Sequence, residues 1–218
     1  MRINPSILSA DFGNLERDLQ RISSADAAHI DVMDNHFVPN LTIGLPVVRR
    51  LQEISPIPLD VHLMITDVDS EALKYAELGV DSITFHLEAS ENPSQTILKL
   101  KQLGTKVAIA IKPNTPVETA FPFLGDIDML LIMTVEPGFG GQKLIEGTLE
   151  KLPLASEAIR NSGRSIVLQV DGGVTTGNIA RLASLGADCA VAGSAVFADG
   201  DPVHNIAALK SAAVISNS

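Results

Sequence analysis

Short β-branched and aliphatic runs of about four to seven residues recur along the chain, as buried parallel strands do. They fall at Ile3–Leu8, His29–Met33, Leu59–Met64, Ser82–Leu87, Lys106–Ile111, Met129–Val135, Ser165–Val170 and Cys189–Ala192. Between them, apolar residues return at helical spacing. Leu15, Leu19 and Ile22 share one face of Asn14–Ile22, and Ile97, Leu100 and Leu103 share one face of Pro93–Leu103. Leu182 and Leu185 do the same in Ile179–Leu185. Gly79, Gly104, Gly163 and Gly186 follow helical stretches, where a left-handed residue ends a helix. The phrases Leu78-Gly79-Val80-Asp81-Ser82-Ile83 and Leu185-Gly186-Ala187-Asp188-Cys189-Ala190 are near-copies of one helix-stop-strand unit. Eight units in 218 residues leave about 27 residues each, short but adequate for βα units with brief loops. No linker or shift in composition divides the chain. The pattern predicts one α/β domain over 1–218, a (β/α)8 TIM barrel rather than a doubly wound sheet.

Several strands carry polar residues where a barrel interior should be apolar. Residues i and i+2 of a strand share a face, so His29, Asp31 and Met33 point one way, and Asp60, His62 and Met64 repeat the row on the next strand. Asp171 closes the seventh strand. In such barrels the chemistry lies at the C-terminal strand ends, where these residues fall. Taken singly, His62, and His86 on the fourth strand, read as ordinary core histidines. Taken together, His29, Asp31, His62 and Asp171 offer two imidazoles and two carboxylates, a four-ligand set for one Zn²⁺, Fe²⁺, Mn²⁺ or Co²⁺. Unpaired carboxylates in an apolar barrel would otherwise carry a large desolvation cost. Asp60, one layer deeper, suits a partner that orients an imidazole, and Asp34 suits a loop cap.

Three turns are rich in glycine: Glu136-Pro137-Gly138-Phe139-Gly140-Gly141-Gln142, Asp171-Gly172-Gly173-Val174 and Ala192-Gly193-Ser194-Ala195. Backbone N–H groups beyond strands seven and eight commonly cradle phosphate in such barrels. Lys143 is the one cation in these turns, so capture would rest on amides. The segment from Glu136 to Gly147 is long enough to close over a substrate.

Charge and composition narrow the partners. A formal charge of -10 repels nucleic acid and anionic membranes, though amides can still hold a small anion. One cysteine, Cys189, allows no internal disulfide and fits a reducing compartment. Met1 to Pro5 bears a charge but leads into no apolar signal core, and no apolar stretch is long enough to span a bilayer. A cytoplasmic protein without nucleic-acid or membrane partners is expected.

The motifs resemble the ribulose-phosphate 3-epimerase family from about residue 3 to 210: Pro-Ser-Ile-Leu-Ser-Ala-Asp at 5–11, His-Ile-Asp-Val-Met-Asp at 29–34, Phe-Val-Pro-Asn at 37–40 and Asp-Val-His-Leu-Met at 60–64. Thr-Phe-His-Leu-Glu at 84–88, Ile-Lys-Pro at 111–113, Val-Glu-Pro-Gly-Phe-Gly-Gly-Gln at 135–142 and Val-Asp-Gly-Gly-Val at 170–174 continue it. The resemblance implies a ribulose-phosphate-binding barrel that interconverts D-ribulose 5-phosphate and D-xylulose 5-phosphate in the pentose phosphate pathway, with one divalent metal per subunit. It implies metal ligands at His29, Asp31, His62 and Asp171 and an acid/base pair at Asp31 and Asp171. Substrate contacts are implied at Ser6, His62, Gly138, Phe139, Gly140, Gly141, Gly172, Gly173, Gly193 and Ser194, with Met33, Met64 and Met133 beside the reacting carbons. A homo-oligomer, dimer or hexamer, is expected. One departure stands out: Asn35 occupies a place where relatives usually have glycine, and asparagine tolerates the left-handed region that such a turn needs.

Rival activities remain on the same scaffold. An epimerase for a six-carbon ketose phosphate would use the same metal and phosphate sites. A lyase or decarboxylase would need a lysine beside the carboxylates, and Lys112 is the one candidate. A non-catalytic phosphosugar-binding protein would not need two aspartates facing one metal.

Overall fold

The structure, a computed structural model, describes residues 1–214, so the last four residues of the 1–218 span lie outside the described residues. Eight parallel strands alternate with helices, as the hydrophobic pattern predicts. The strands are β1 (Arg2–Pro5), β2 (Ala28–Met33), β3 (Leu59–Met64), β4 (Ser82–His86), β5 (Lys106–Ile111), β6 (Met129–Met133), β7 (Val167–Asp171) and β8 (Cys189–Ala192). They form one sheet in the order β1-β8-β7-β6-β5-β4-β3-β2, and an isolated parallel bridge between Ser6 and His29 closes the ring. The helices are α1 (Leu15–Arg21), α2 (Leu45–Ile54), α3 (Val68–Ala76), α4 (Pro93–Gln102), α5 (Lys151–Ser162), α6 (Ile179–Ser184), α7 (Ser194–Phe197) and α8 (Pro202–Ala212).

The main apolar core lies between strands and helices. Ile30, Leu63, Ile83, Phe85, Ile109 and Ile132 face outward from the barrel wall onto helical residues such as Leu19, Leu51, Ala72, Ile97 and Leu152. Gly79, Gly104, Gly163 and Gly186 all take positive φ, as their places after helical stretches require. Between β5 and β6 the chain forms only a tight 3-10 segment, Val117–Phe123, with Pro122, which has no N–H to donate, inside it.

Strand ends differ from the hydrophobic runs by a few residues, and the first strand differs most. β1 stops at Pro5, and the Ser6 side chain accepts a hydrogen bond from Leu8 N, opening a 3-10 turn over Ile7–Ser9. That turn brings Ser6 to the barrel mouth. At the other boundary, β7 includes Asp171, paired with Met133 and Val191, so this carboxylate sits on rigid ladder backbone.

Candidate active site

The barrel interior is polar through two layers. In the lower one Asp60, 1% exposed, gathers four donors: Oδ2 accepts from Asn4 Nδ2 at 2.9 Å, Gln169 Nε2 at 2.8 Å and His29 Nδ1 at 2.9 Å, and Oδ1 accepts from Ser82 Oγ at 2.9 Å. Burial pushes its pKa up, but the His29 charge and these hydrogen bonds outweigh it and hold the carboxyl well below the ordinary range. Asp60 is therefore an outer partner that orients an imidazole, and that imidazole belongs to His29. With Nδ1–H donated to Asp60, Nε2 of His29 faces the layer above.

That upper layer holds the four residues singled out as a ligand set. His29 Nε2 lies 3.3 Å from His62 Nδ1, 3.4 Å from Asp31 Oδ1 and 3.7 Å from Asp171 Oδ2. His62 Nδ1 lies 3.5 Å from Asp31 Oδ1 and 3.7 Å from Asp171 Oδ2. One donor atom from each of the four residues falls within 4.8 Å of all the others. Bonds of about 2.0–2.2 Å to a tetrahedral ion would separate its donors by about 3.3–3.6 Å, so the spacing and the chemistry of this set fit a divalent metal. Burial presses the pKa of both histidines down, and the carboxylates beside them reverse the effect: His29 ends well above 6.5, and His62 ends raised. Asp31 moves the other way. Burial raises it, but the His29 charge and the hydrogen bonds of both histidines bring it far below the usual carboxylate range. Ser6 Oγ donates to Asp31 Oδ2 at 2.5 Å.

Above the quartet a cavity opens at the C-terminal strand ends, lined by Ser6, Asp31, Asp171 and the glycine turns. Met33, Met64 and Met133 line it as well, giving it an apolar wall beside the carboxylates. Gly138, Phe139, Gly140, Gly141, Gly172, Gly173, Gly193 and Ser194 are all on its rim. His29 and His62 are 0% exposed and lie beneath, so the cavity meets the aspartates first.

The rim depends on residues without side chains. A Cβ on Gly172, at φ +119°, would come within 2.4 Å of Val135 Cγ2, and one on Gly173 within 2.4 Å of Leu144 N. The N–H groups of Gly173 and Gly193 find no backbone acceptor among the described residues. The β6 loop is braced by its own glutamine, since Gln142 Nε2 donates to the carbonyls of Glu136 and Phe139. It is also tied across the mouth, where Asn40 Nδ2 donates to Gly138 O at 2.7 Å.

Other sequence expectations find their places nearby. Asp34 accepts from the amides of His36, Phe37 and Thr66, which makes it a loop cap. Asn35 takes φ 60°, the left-handed turn that asparagine tolerates. Lys112 Nζ stacks 3.8 Å from the centre of the Phe37 ring, and no lysine lines the cavity among the described residues, so the amine a lyase would need is absent from it. His86 is a buried histidine with both ring nitrogens partnered, and its Nε2 lies 3.0 Å from His62 Nε2. Burial lowers its pKa to about 4.

Fold and site together define a (β/α)8 barrel with a buried two-histidine, two-aspartate group under a glycine-rich rim. Comparison with known proteins narrows that class. The chain belongs to the ribulose-phosphate 3 epimerase family, whose model matches residues 2–197. It is 45% identical over 208 residues to the ribulose-phosphate 3-epimerase of Mycobacterium tuberculosis (strain ATCC 25618 / H37Rv), covering 95% of this chain and 91% of that one. The enzyme of the same name from Escherichia coli (strain K12) is 46% identical over 198 residues, 89% of this chain and 88% of its own. Among solved structures, a 3-hexulose-6-phosphate synthase matches with a TM-score of 0.70 at 18% identity, covering 98% of this chain and 100% of that chain. The phosphoribosyl anthranilate isomerase of Thermococcus kodakaraensis matches at 0.68 and 16%, covering 100% and 99%. At such identities these two share the fold alone. No helix among the described residues is long and apolar enough to cross a membrane.

Proposed function

We propose that the protein is a metal-dependent ribulose-phosphate 3-epimerase that inverts C3 of D-ribulose 5-phosphate to give D-xylulose 5-phosphate. One observation carries this reading: Asp31 on β2 and Asp171 on β7 reach the same histidine pair at the cavity floor. Two carboxylates from well-separated strands suit inversion, which needs a base on one face of a carbon and an acid on the other. Family membership and the full-length relatives support the choice of substrate.

In this reading His29, Asp31, His62 and Asp171 hold one Zn²⁺, Fe²⁺, Mn²⁺ or Co²⁺. Bound there, the ion supplies Lewis-acid stabilisation of the negative charge that develops on the substrate's oxygens. Asp31 removes the C3 proton and Asp171 returns one to the opposite face, with the roles exchanged in reverse. Ser6 fixes Asp31 through its hydroxyl. Met33, Met64 and Met133 keep water from the enediolate. The amides of Gly172, Gly173, Gly193 and Ser194 receive the phosphate, and Gly138 to Gly141 cover the sugar. We further propose one catalytic domain, a cytoplasmic location and a homo-oligomer.

The test is NMR of ribulose 5-phosphate in deuterated water. C3 deuteration and xylulose 5-phosphate formation are expected, lost with chelator and restored by a divalent cation. The Asp171→Asn variant should exchange the C3 proton of one epimer only. Full epimerase activity in that variant would defeat the two-base scheme, and absence of C3 exchange in the metal-loaded wild type would defeat the function.

A further inference from the structure

The second histidine of the quartet is held by a chain of groups that no step above uses. His62 turns Nδ1 toward Asp31 and Asp171, which leaves Nε2 pointing away from the cavity. That Nε2 meets His86 Nε2 at 3.0 Å, and His86 Nδ1 lies 3.2 Å from Glu88 Oε2. Both rings are 0% exposed and meet edge to edge, 25° from coplanar with centroids 5.1 Å apart, so neither nitrogen can turn to water instead. Glu88 is fixed in turn. Its Oε1 accepts from the Lys112 amide at 2.8 Å and from the Thr115 hydroxyl.

Proton counting gives this chain one consistent arrangement. Two ring nitrogens in contact cannot both carry protons, and neither can both be bare without opposing lone pairs. If His62 Nδ1 is the ligand atom, it must be bare, so His62 Nε2 carries the proton and donates it to His86. His86 Nε2 then accepts, and its own proton sits on Nδ1, facing the Glu88 carboxylate. Phe37 packs against His86, with centroids 4.9 Å apart, which restrains the imidazole. His29 has a direct carboxylate partner in Asp60, whereas His62 reaches its carboxylate through a second imidazole.

We infer that His86 and Glu88 are positioning residues for the metal site, a histidine–carboxylate pair that fixes the tautomer and ring angle of His62. The inference rests on the quartet being the metal site, but the hydrogen bond at its centre can be read without metal. His62 donates through Nε2 when Nδ1 is bare or ligated and when both ring nitrogens carry protons, so the bond to His86 is expected with and without metal.

Two measurements decide it. With ¹⁵N-histidine labelling, a through-hydrogen-bond ¹⁵N–¹⁵N coupling between the Nε2 atoms of His62 and His86 is expected in the wild type with and without zinc. Its absence would overturn the inference. Zinc affinity, measured by competition with a chromophoric chelator, should fall about 10- to 100-fold in His86→Phe, which keeps the ring volume and removes the acceptor. His86→Gln, whose amide oxygen can accept from His62, should recover part of that loss, and Glu88→Gln should show an intermediate one. Equal losses in His86→Phe and His86→Gln would assign His86 to packing alone and overturn the inference, as would wild-type affinity in His86→Phe. If the wild type takes up no zinc that His62→Ala abolishes, the metal reading fails, and the coupling alone decides the positioning role.

Discussion

Asp60 offers the sharpest quantitative test of how the barrel interior is held. Asp60→Asn keeps the shape and removes the charge. The amide oxygen can retain the bonds from Asn4, His29 and Gln169, and the amide nitrogen must then face Ser82 Oγ, which can rotate to accept. Four charge-assisted hydrogen bonds become neutral ones at a cost of about 1 kcal/mol each, so the metal-free variant should be less stable by about 4 kcal/mol. At roughly 2–4 °C per kcal/mol for a chain of this size, its Tm should drop by about 8–16 °C.

The loss has a definite pH window. Asp60 has a depressed folded pKa, so its contribution is present above the unfolded value of about 4 and disappears as pH falls through the folded one. His29 has a raised folded pKa, so its share is complete below the unfolded value of about 6.5 and fades as pH rises through the folded one. The gap between wild type and variant should therefore be widest between about pH 4 and 6.5 and narrow on either side. Thermal unfolding followed by circular dichroism in chelator, repeated across pH, measures it directly. Zinc affinity in the same variant should fall about 10- to 100-fold, because His29 loses the acceptor that aligns its ring. A Tm within a degree or two of wild type at pH 5.5, or a gap independent of pH, would refute the account of Asp60 as a charged anchor.

Two further outcomes follow from the backbone. Gly172→Ala should cost at least about 2 kcal/mol and weaken binding of inorganic phosphate, through contact with Val135 and the φ of +119°. Adding Val135→Ala should relieve the contact without removing the backbone strain, so urea titrations of the single and double variants separate the two causes. At Asn35, φ 60° predicts that Asn35→Gly is tolerated, with stability equal to or above wild type, and that Asn35→Val loses about 1–2 kcal/mol. Equal midpoints for these two variants in urea would contradict the left-handed turn.

Much of this protein can be read along the chain because its two periodicities are local. Strand runs, helix faces and stop glycines depend on neighbours a few residues apart, and they determine the barrel. The i, i+2 rows were enough to place His29 with Asp31 and Asp60 with His62, since one strand fixes their common face. Asp171 joined them through its place at a strand end. Motif order along the chain carried the family.

What required the folded barrel was every relation across strands. Sequence alone ranks Asp60 as a partner for an imidazole, but the β2–β3 register, which pairs His29 with Asp60, gives it to His29 rather than to its strand-mate His62. Gln169 reaches Asp60 from 109 residues away, and Asn40 reaches the Gly138 loop across 98, so nothing local announces either bond. Along the chain His86 reads only as a core histidine, for the same reason. The contact that links it to the quartet exists only because β4 lies beside β3, which sets the Nε2 atoms of two buried rings 3.0 Å apart.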